Sequence, residues 1–262
     1  MSAATLALAT WNVNSLRVRL PHLEAWLATA AIDALGLQET KLRDEEFPHA
    51  ELARLGLAGS WHGQPTYNGV ALLARRPVED VSRGIPGFSD EQARVIAGTI
   101  SGVRVVDVYV PNGQSVDSEK YQYKLRWLGA LRDYLKAQMA KHAELAVIGD
   151  FNIAPEDRDV HDPAKWVGEV LVSPAERAAL SELTALGFKD VYRQFPQADG
   201  AFSWWDYRAA AFRRNAGLRI DLILASPQLA ARCTGCRIDA GPRRAERPSD
   251  HAPVIATFDL MR

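Results

Sequence analysis

The chain has 262 residues, of which 47% are hydrophobic and 24% charged, with a formal net charge of −1. That length suits one large domain or two small ones and allows a sizeable core, and the composition excludes a disordered, collagen-like or low-complexity chain. No apolar stretch approaches a membrane span, and the opening MSAATLALAT lacks a basic leader, so a cytoplasmic protein is expected.

Strands and helices alternate along the chain. Residues 6–13 (LALATWNV) read as a strand, and 19–31 as a helix with Leu20, Leu23, Trp26 and Leu27 on one face. Short apolar strands follow at 32–37, 67–75, 94–100 and 103–110, with Ser101-Gly102 as a hairpin turn between the last two. Ser118 caps the longest helix, along which Tyr121, Leu125, Leu128, Leu131, Leu135 and Met139 recur at spacings of three and four. Residues 145–148 form a buried strand ending in Gly149-Asp150-Phe151-Asn152. Ser173-Pro174-Ala175-Glu176 is a capping box opening a helix with Leu180, Leu183 and Leu186 inward. Residues 218–225 and 254–258 close the chain as strands. No linker interrupts this order, so 1–262 is a single domain. The hairpins exclude a purely parallel sheet, and mixed sheets covered by helices fit the α/β pattern.

Cys233 and Cys236 in CTGC lack the partners of a structural zinc site, so two reduced cysteines are expected. Charge is unevenly spread. Residues 201–262 hold ten arginines against six acids, a local excess of +4, which leaves −5 for the other 200. A basic face on a neutral protein suits a polyanion.

Polar residues collect where strands end: Asn12 and Asn14, Glu39, Tyr109 and Asn112, Asp150 and Asn152, then Asp221 within LRIDL and Asp250-His251 before the last strand. Sites in α/β proteins are assembled at such ends. One carboxylate there is usually a cap or turn former, but a whole set of acids, amides, His and Tyr points to chemistry.

At these positions the chain resembles the exonuclease III family of DNA-repair nucleases, within the endonuclease/exonuclease/phosphatase superfamily. The resemblance rests on TWNVNSLR, LQETK, YNGVALL, YVPNG, GDFNIAP, FSWWDYR, GLRIDLILAS and PSDHAPV, in the family's order from residue 10 to 254. GDFN and SDH match the whole superfamily, whereas FSWWDYR followed by GLRID is more specific. The resemblance implies a four-layer α/β sandwich of two mixed sheets packed face to face and flanked by helices.

It further implies Mg²⁺-assisted phosphodiester hydrolysis, with Mn²⁺ as a substitute, since hard oxygen ligands select these ions. Glu39 would be the principal metal carboxylate, with Asn12, Asp250, Asp150 and Asn152 around the ion. Asp150 would orient and deprotonate water, and Asn152 would hold that water or the phosphate. His251, held by Asp221, would donate to a phosphate oxygen. Tyr109 would contact the phosphate or help the leaving group, with Asn112 in support. Asn14 stands where some relatives carry Asp, which puts a second metal position in doubt. Trp204, Leu218 and Ile220 match positions lining a pocket for a flipped-out abasic sugar. Arg17, Lys41, Arg208, Arg213 and Arg214 are candidates for DNA backbone contacts. The implied partner is double-stranded DNA with damaged 3′ ends or abasic sites, and the implied state is a monomer.

His161 lies in a segment, 152–166, that holds two prolines and many charges, and an exposed loop is expected there. Its bulk would narrow the space beside the abasic pocket and favour 3′-end trimming over internal incision. Two other readings stand beside the nuclease. One is a superfamily phosphatase acting on lipid or small phosphate esters, disfavoured by WNVNSLR and FSWWDYR. The other is a dead DNA-binding module, disfavoured by the intact Glu39, Asp150, Asn152, Asp221 and His251.

Overall fold

A computed structural model describes residues 5–261. Twelve strands form two six-stranded mixed sheets. The first has the order β11 (Cys233–Ile238), β12 (Val254–Asp259), β1 (Thr5–Asn12), β2 (Ala34–Gln38), β4 (Val70–Ala74), β3 (Ala58–His62). The second has the order β5 (Glu79–Arg83), β6 (Val95–Ile100), β7 (Val103–Tyr109), β8 (Leu145–Asp150), β10 (Asp221–Ala225), β9 (Lys189–Asp190). Each sheet has one parallel pair at its centre, β1 with β2 and β7 with β8, and antiparallel neighbours outside it.

Three apolar clusters explain the layering. Leu8, Leu72, Ile148, Ile223, Val254 and Phe258 fill the space between the sheets. α1 (Leu16–Leu27) and α2 (His49–Arg54) cover the outer face of the first sheet through Leu23, Trp26 and Leu52. α3 (Glu119–Met139) and α4 (Pro174–Ala185) cover the second through Trp127, Leu131, Leu135 and Leu183. This is the expected four-layer sandwich. No helix among the described residues is long and apolar enough to cross a membrane.

Most local expectations hold, with informative shifts. Ser101 and Gly102 take φ of 52° and 85°, as a tight hairpin between right-twisted strands requires. The Ser118 hydroxyl accepts from Tyr121 N, and Ser173 and Glu176 form the reciprocal cap of α4. α1 starts at Leu16 rather than residue 19, because Ser15 N–H and Leu16 N–H find the carbonyls of Glu39 and Thr40. The strand expected over 67–75 shrinks to β4, since Asn68 and Gly69 adopt left-handed conformations. Residues 218–220 lie outside β10 and make only isolated bridges, Leu218 with Val160 and Trp204. The segment 152–166 is not simply an exposed loop. It folds into two short 3₁₀ turns, and Asp159 is buried against Arg219 and Arg193.

Candidate active site

Strand register places the key residues in rows. Across the second sheet Tyr109 pairs with Asp150, and Asp150 with Asp221. On the first sheet Asn12 pairs with Gln38, and Glu39 follows at the next position. Both rows stand at one open end of the sandwich, and the Asn12 amide joins them. Its Nδ2 donates to Glu39 Oε1 and to Asp150 Oδ2, each at 2.9 Å. Tyr109 donates its hydroxyl to the same Glu39 oxygen at 2.9 Å.

Asp150 is almost fully buried and well supplied with donors. Its Oδ1 accepts from Asn152 N at 2.9 Å, and its Oδ2 from Asn152 Nδ2 at 3.2 Å. Asn112 Nδ2 in turn donates to Asn152 Oδ1 at 3.1 Å. His251 Nε2 faces Asp150 Oδ2 at 3.7 Å, while its Nδ1 lies 2.9 Å from Asp221 Oδ2. Ser203 donates its hydroxyl to that Asp221 oxygen at 2.6 Å and receives the backbone N–H groups of Ile220 and Asp221. Ser203 thereby fixes the acid that fixes the imidazole.

Burial raises the Asp150 carboxyl, and the nearby Asp221 charge adds to it against the opposing pull of His251. Burial alone would lower His251, but the carboxylates of Asp221 and Asp150 outweigh it and hold the imidazolium form. Burial would also raise Glu39, yet the Lys41 ammonium and the Asn12 amide bring it below the ordinary carboxylate value. Burial, then the Glu39 and Asp150 charges, keep the Tyr109 phenol protonated.

The donor set suits a hard cation. Glu39 and Asp150 offer carboxylate oxygens on either side of the Asn12 amide. Asp150, Asp221 and His251 also bring ligand atoms within 4.8 Å of one another. There, however, Asp221 is committed to Ser203 and the imidazole, which makes it a relay rather than an ion cage. Asp250 is not tied directly to Glu39. Its oxygens accept from Asn14 Nδ2 at 2.9 Å and Trp204 Nε1 at 3.0 Å. Lys41 bridges the gap, with its ammonium 2.9 Å from Glu39 Oε2 and 2.6 Å from Asn14 Oδ1.

Lys41 is therefore an internal cation of the site and not a free backbone contact. Arg208 forms a two-pronged pair with its neighbour Asp206, and Arg17 pairs with Glu46 at 3.4 Å. Arg213 and Arg214 are exposed. Leu218 and Ile220 are fully buried in a cluster with Val160 and Leu171. They form the floor under Trp204, which alone of the three keeps exposed surface. His161 is exposed, and its backbone N–H donates to Gly217 O at 3.1 Å, beside that floor. The basic excess of the last 62 residues is smaller at the surface than the count suggests. Arg219 is buried against Asp159 and Asp190, and Arg243 lies among the rings of Trp205, Tyr207 and Phe212.

Three supporting residues escaped the sequence reading. Ser203 lay inside FSWWDYR. Arg94 lies over the Tyr109 ring at 4.7 Å and donates to its carbonyl. Lys124, fully buried on α3, donates to the carbonyls of Asn112 and Asn152.

The sequence and the fold are similar to those of known proteins. The profile of the Endonuclease/Exonuclease/phosphatase family matches residues 9–251. The chain is 37% identical to exodeoxyribonuclease III of Haemophilus influenzae, over 95% of this chain and 98% of that protein. A 3′ phosphatase from Neisseria, solved with a product DNA hairpin, superposes with a TM-score of 0.95 at 47% identity, over 97% of this chain and 100% of that one. An AP endonuclease from Archaeoglobus fulgidus gives 0.94 at 41% identity with the same coverage. The chain belongs to the endonuclease/exonuclease/phosphatase family, on its exonuclease III branch.

Proposed function

We propose that this protein is a Mg²⁺-dependent DNA-repair phosphodiesterase that trims 3′ ends of duplex DNA. Its activities would be 3′→5′ exodeoxyribonuclease, 3′-phosphatase and 3′-phosphodiesterase, with abasic-site incision as a further one. The observation that carries this reading is the Asp150 carboxylate, buried, raised in pKa, held by Asn12 and Asn152 and faced by His251.

Asp150, whose Oδ1 accepts from Asn152 N at 2.9 Å, takes the proton of the attacking water, and Asn152 holds that water or the phosphate. His251, kept as imidazolium by Asp221, donates from Nε2 to a non-bridging phosphate oxygen. Tyr109 and Asn112 border the same oxygens. Glu39 would hold the metal ion, with Asp150 and Asn152 beside it and Asp250 behind Asn14; Asn12, expected as a ligand, instead spans Glu39 and Asp150 with its NH₂ and gives its oxygen to Asn14 N. When bound, the ion neutralises phosphate charge and stabilises the leaving oxygen. Trp204 covers the extruded sugar, and Arg17, Arg208 and Arg213 meet the DNA backbone. His161 limits internal abasic substrates.

The purified protein should release phosphate from a 3′-phosphorylated duplex and shorten a 3′-recessed one, with Mg²⁺ required for both. Inositol phosphates should remain intact. Turnover of inositol phosphates in preference to DNA would replace this reading with the small-ester phosphatase.

A further inference from the structure

Two Asn-Gly dipeptides flank the reacting centre, Asn68-Gly69 before β4 and Asn112-Gly113 after β7. In such a pair the glycine nitrogen can attack the asparagine side chain, because glycine has no Cβ to obstruct the approach. The fold protects the first pair. Asn68 is buried, its Nδ2 donates to Gln64 Oε1 at 2.8 Å, and Gly69 N donates to Ala93 O at 2.9 Å. The second pair lacks this protection. Asn112 is exposed, and Gly113 N, at φ of 97°, donates to no group among the described residues.

The contacts of Asn112 favour the attack at each atom that takes part. Loss of the proton from Gly113 N spreads charge through the peptide resonance onto the Asn112 backbone oxygen. That oxygen accepts from the Lys124 ammonium at 3.1 Å. The attack itself puts charge on Asn112 Oδ1, which accepts from Gln114 N at 3.1 Å. Donors already aimed at the atoms where charge develops lower a barrier without reorganisation. A backbone N–H can only donate, so Gln114 also fixes the amide with Oδ1 toward the turn and Nδ2 toward Asn152 Oδ1, 3.1 Å away. Gly113 O accepts from Ser115 N at 2.7 Å and from the Ser118 hydroxyl at 2.6 Å, which holds the turn in this shape.

We propose that Asn112 is a self-modification site, which loses its amide to attack by Gly113 N and thereby switches the reacting centre off. Gly113 N gives its proton to water, and its electron pair forms a bond to Asn112 Cγ. The Cγ–Nδ2 bond breaks, a proton returns to the departing nitrogen, and ammonia leaves. Water then opens the cyclic imide at either carbonyl, giving aspartate or isoaspartate. Aspartate sets a carboxylate oxygen where Nδ2 stood, against Asn152 Oδ1, and isoaspartate besides reroutes the backbone through the side chain. Asn152 cannot turn its amide over in response. Its Nδ2 serves Val110 O at 3.0 Å and Asp150 Oδ2 at 3.2 Å, and its oxygen would then oppose both. The covalent step stands on the geometry of the turn alone, while the loss of turnover rests on the 3′-end reading above.

The test is to age the full chain in mildly alkaline buffer, folded and in urea, and to follow the peptides carrying Asn112 and Asn68 by mass spectrometry, with aspartate and isoaspartate resolved. In the folded chain Asn112 should convert at least as fast as in urea, whereas Asn68 should convert roughly tenfold or more slowly than in urea. Lys124→Met, aged where it remains folded, should slow conversion at Asn112, although a looser turn by itself would speed it. Release of phosphate from a 3′-phosphorylated hairpin with Mg²⁺ should fall in step with the unconverted fraction. Asn112→Asp should lose on the order of tenfold or more in kcat/KM. Asn112→Gln, whose attack would close a larger and slower ring, should hold through ageing whatever activity it starts with. Slower conversion of Asn112 in the folded chain than in urea, or folded-state conversion of Asn68 as fast as that of Asn112, would overturn the self-modification. Unchanged or faster conversion in Lys124→Met would overturn the part assigned to Lys124. Full turnover by converted chains, or an equal loss on ageing in Asn112→Gln, would overturn the switch. If the fresh wild type releases no phosphate, the 3′-end reading has failed, and the peptide masses still decide the covalent step.

Discussion

Lys124→Met tests how α3 holds the two asparagine loops at the reacting centre. The Lys124 ammonium donates to Asn112 O at 3.1 Å and Asn152 O at 2.7 Å, and it pairs with buried Glu176. Methionine fills nearly the same volume, so the change removes charge and donors more than packing. Glu176 keeps Leu171 N, Ser173 N and the Ser173 hydroxyl but loses its counter-charge. Removing one partner of a buried ion pair costs about 3–5 kcal/mol. For a chain of this size the melting temperature should drop by roughly 6–20 °C. Turnover at a temperature where the variant is folded should fall on the order of 10–10²-fold, because Asn112 and Asn152 lose a shared tether. A second change separates the two effects. Lys124→Met/Glu176→Gln removes the orphaned charge and retains a side chain that completes the α4 cap. It should recover most of the lost melting temperature while turnover stays low. Calorimetry and steady-state release of phosphate from a 3′-phosphorylated hairpin provide the readouts. A single-variant cost under about 1 kcal/mol, within the ordinary range for point changes, would refute the stability argument. Wild-type turnover in the double variant would refute the tether.

Asp150→Asn keeps the shape of the site and removes the proposed base, so turnover should fall roughly 10²–10⁴-fold; near-normal turnover would remove Asp150 from that role. Manganese titration followed by electron paramagnetic resonance should give one tightly bound ion per chain, since among the described residues Glu39, Asp150 and Asp221 form ion pairs with Lys41 and His251 alone, Asp250 forms none, and one divalent ion balances the remaining charge of the four acids; two ions of similar affinity would contradict the charge argument. Asp107 is buried between the sheets, and burial raises its carboxyl well above the usual range despite a bond from Gln38 at 2.5 Å. The folded state therefore keeps a proton that the unfolded chain releases, so this group's contribution to stability is present below the unfolded value and falls as pH rises above it. Asp107→Asn should flatten that decline, with its gain over wild type growing from pH 4 to pH 8 in thermal melts; a variant equally destabilised at both ends would sink the idea. His161→Gly should raise cleavage of an internal abasic analogue while 3′-end release stays within a few-fold, and equal change in both activities would count against the specificity role.

How far the sequence could be read depended on where each strand sits. β1, β7 and β8 are buried along nearly their whole length, and their apolar runs end in the polar residues that build the site. The edge strands β3, β5 and β11 are half-exposed and carry no such run, so EDVSR and CTGCRI passed as connections. The arginine count of the last 62 residues was visible, but not that Arg219 and Arg243 are inside. Lys124 falls between the apolar positions of α3, and its burial depends on Glu176 and two loop carbonyls far along the chain. Propensity and periodicity carry no information on such long-range polar partners.

The backbone at the site explains why one position carries the carboxylate we propose for the metal ion. Asn14, Ser15, Glu39, Lys41, Asn68 and Asn152 all hold positive φ, between 45° and 86°. Asparagine tolerates this region, whereas Ser, Glu and Lys pay on the order of 1–2 kcal/mol each. Cross-loop bonds hold the strained residues in place. Ser15 N donates to Glu39 O at 2.7 Å, Thr40 N to Gly69 O at 3.1 Å, and Lys41 N to Asn68 O at 2.9 Å. Those bonds tie together the ends of β1, β2 and β4. The neighbours of Glu39 show what the strain achieves. Gln38 continues the strand and points into the inter-sheet core, where it donates to Thr10 and Asp107. Thr40 is buried as well. Only the left-handed residue between them turns its side chain to the open end of the sandwich, where Asn12 and Tyr109 meet it. A carboxylate moved to position 38 or 40 would be enclosed, so the sequence LQETK works only with its acid third.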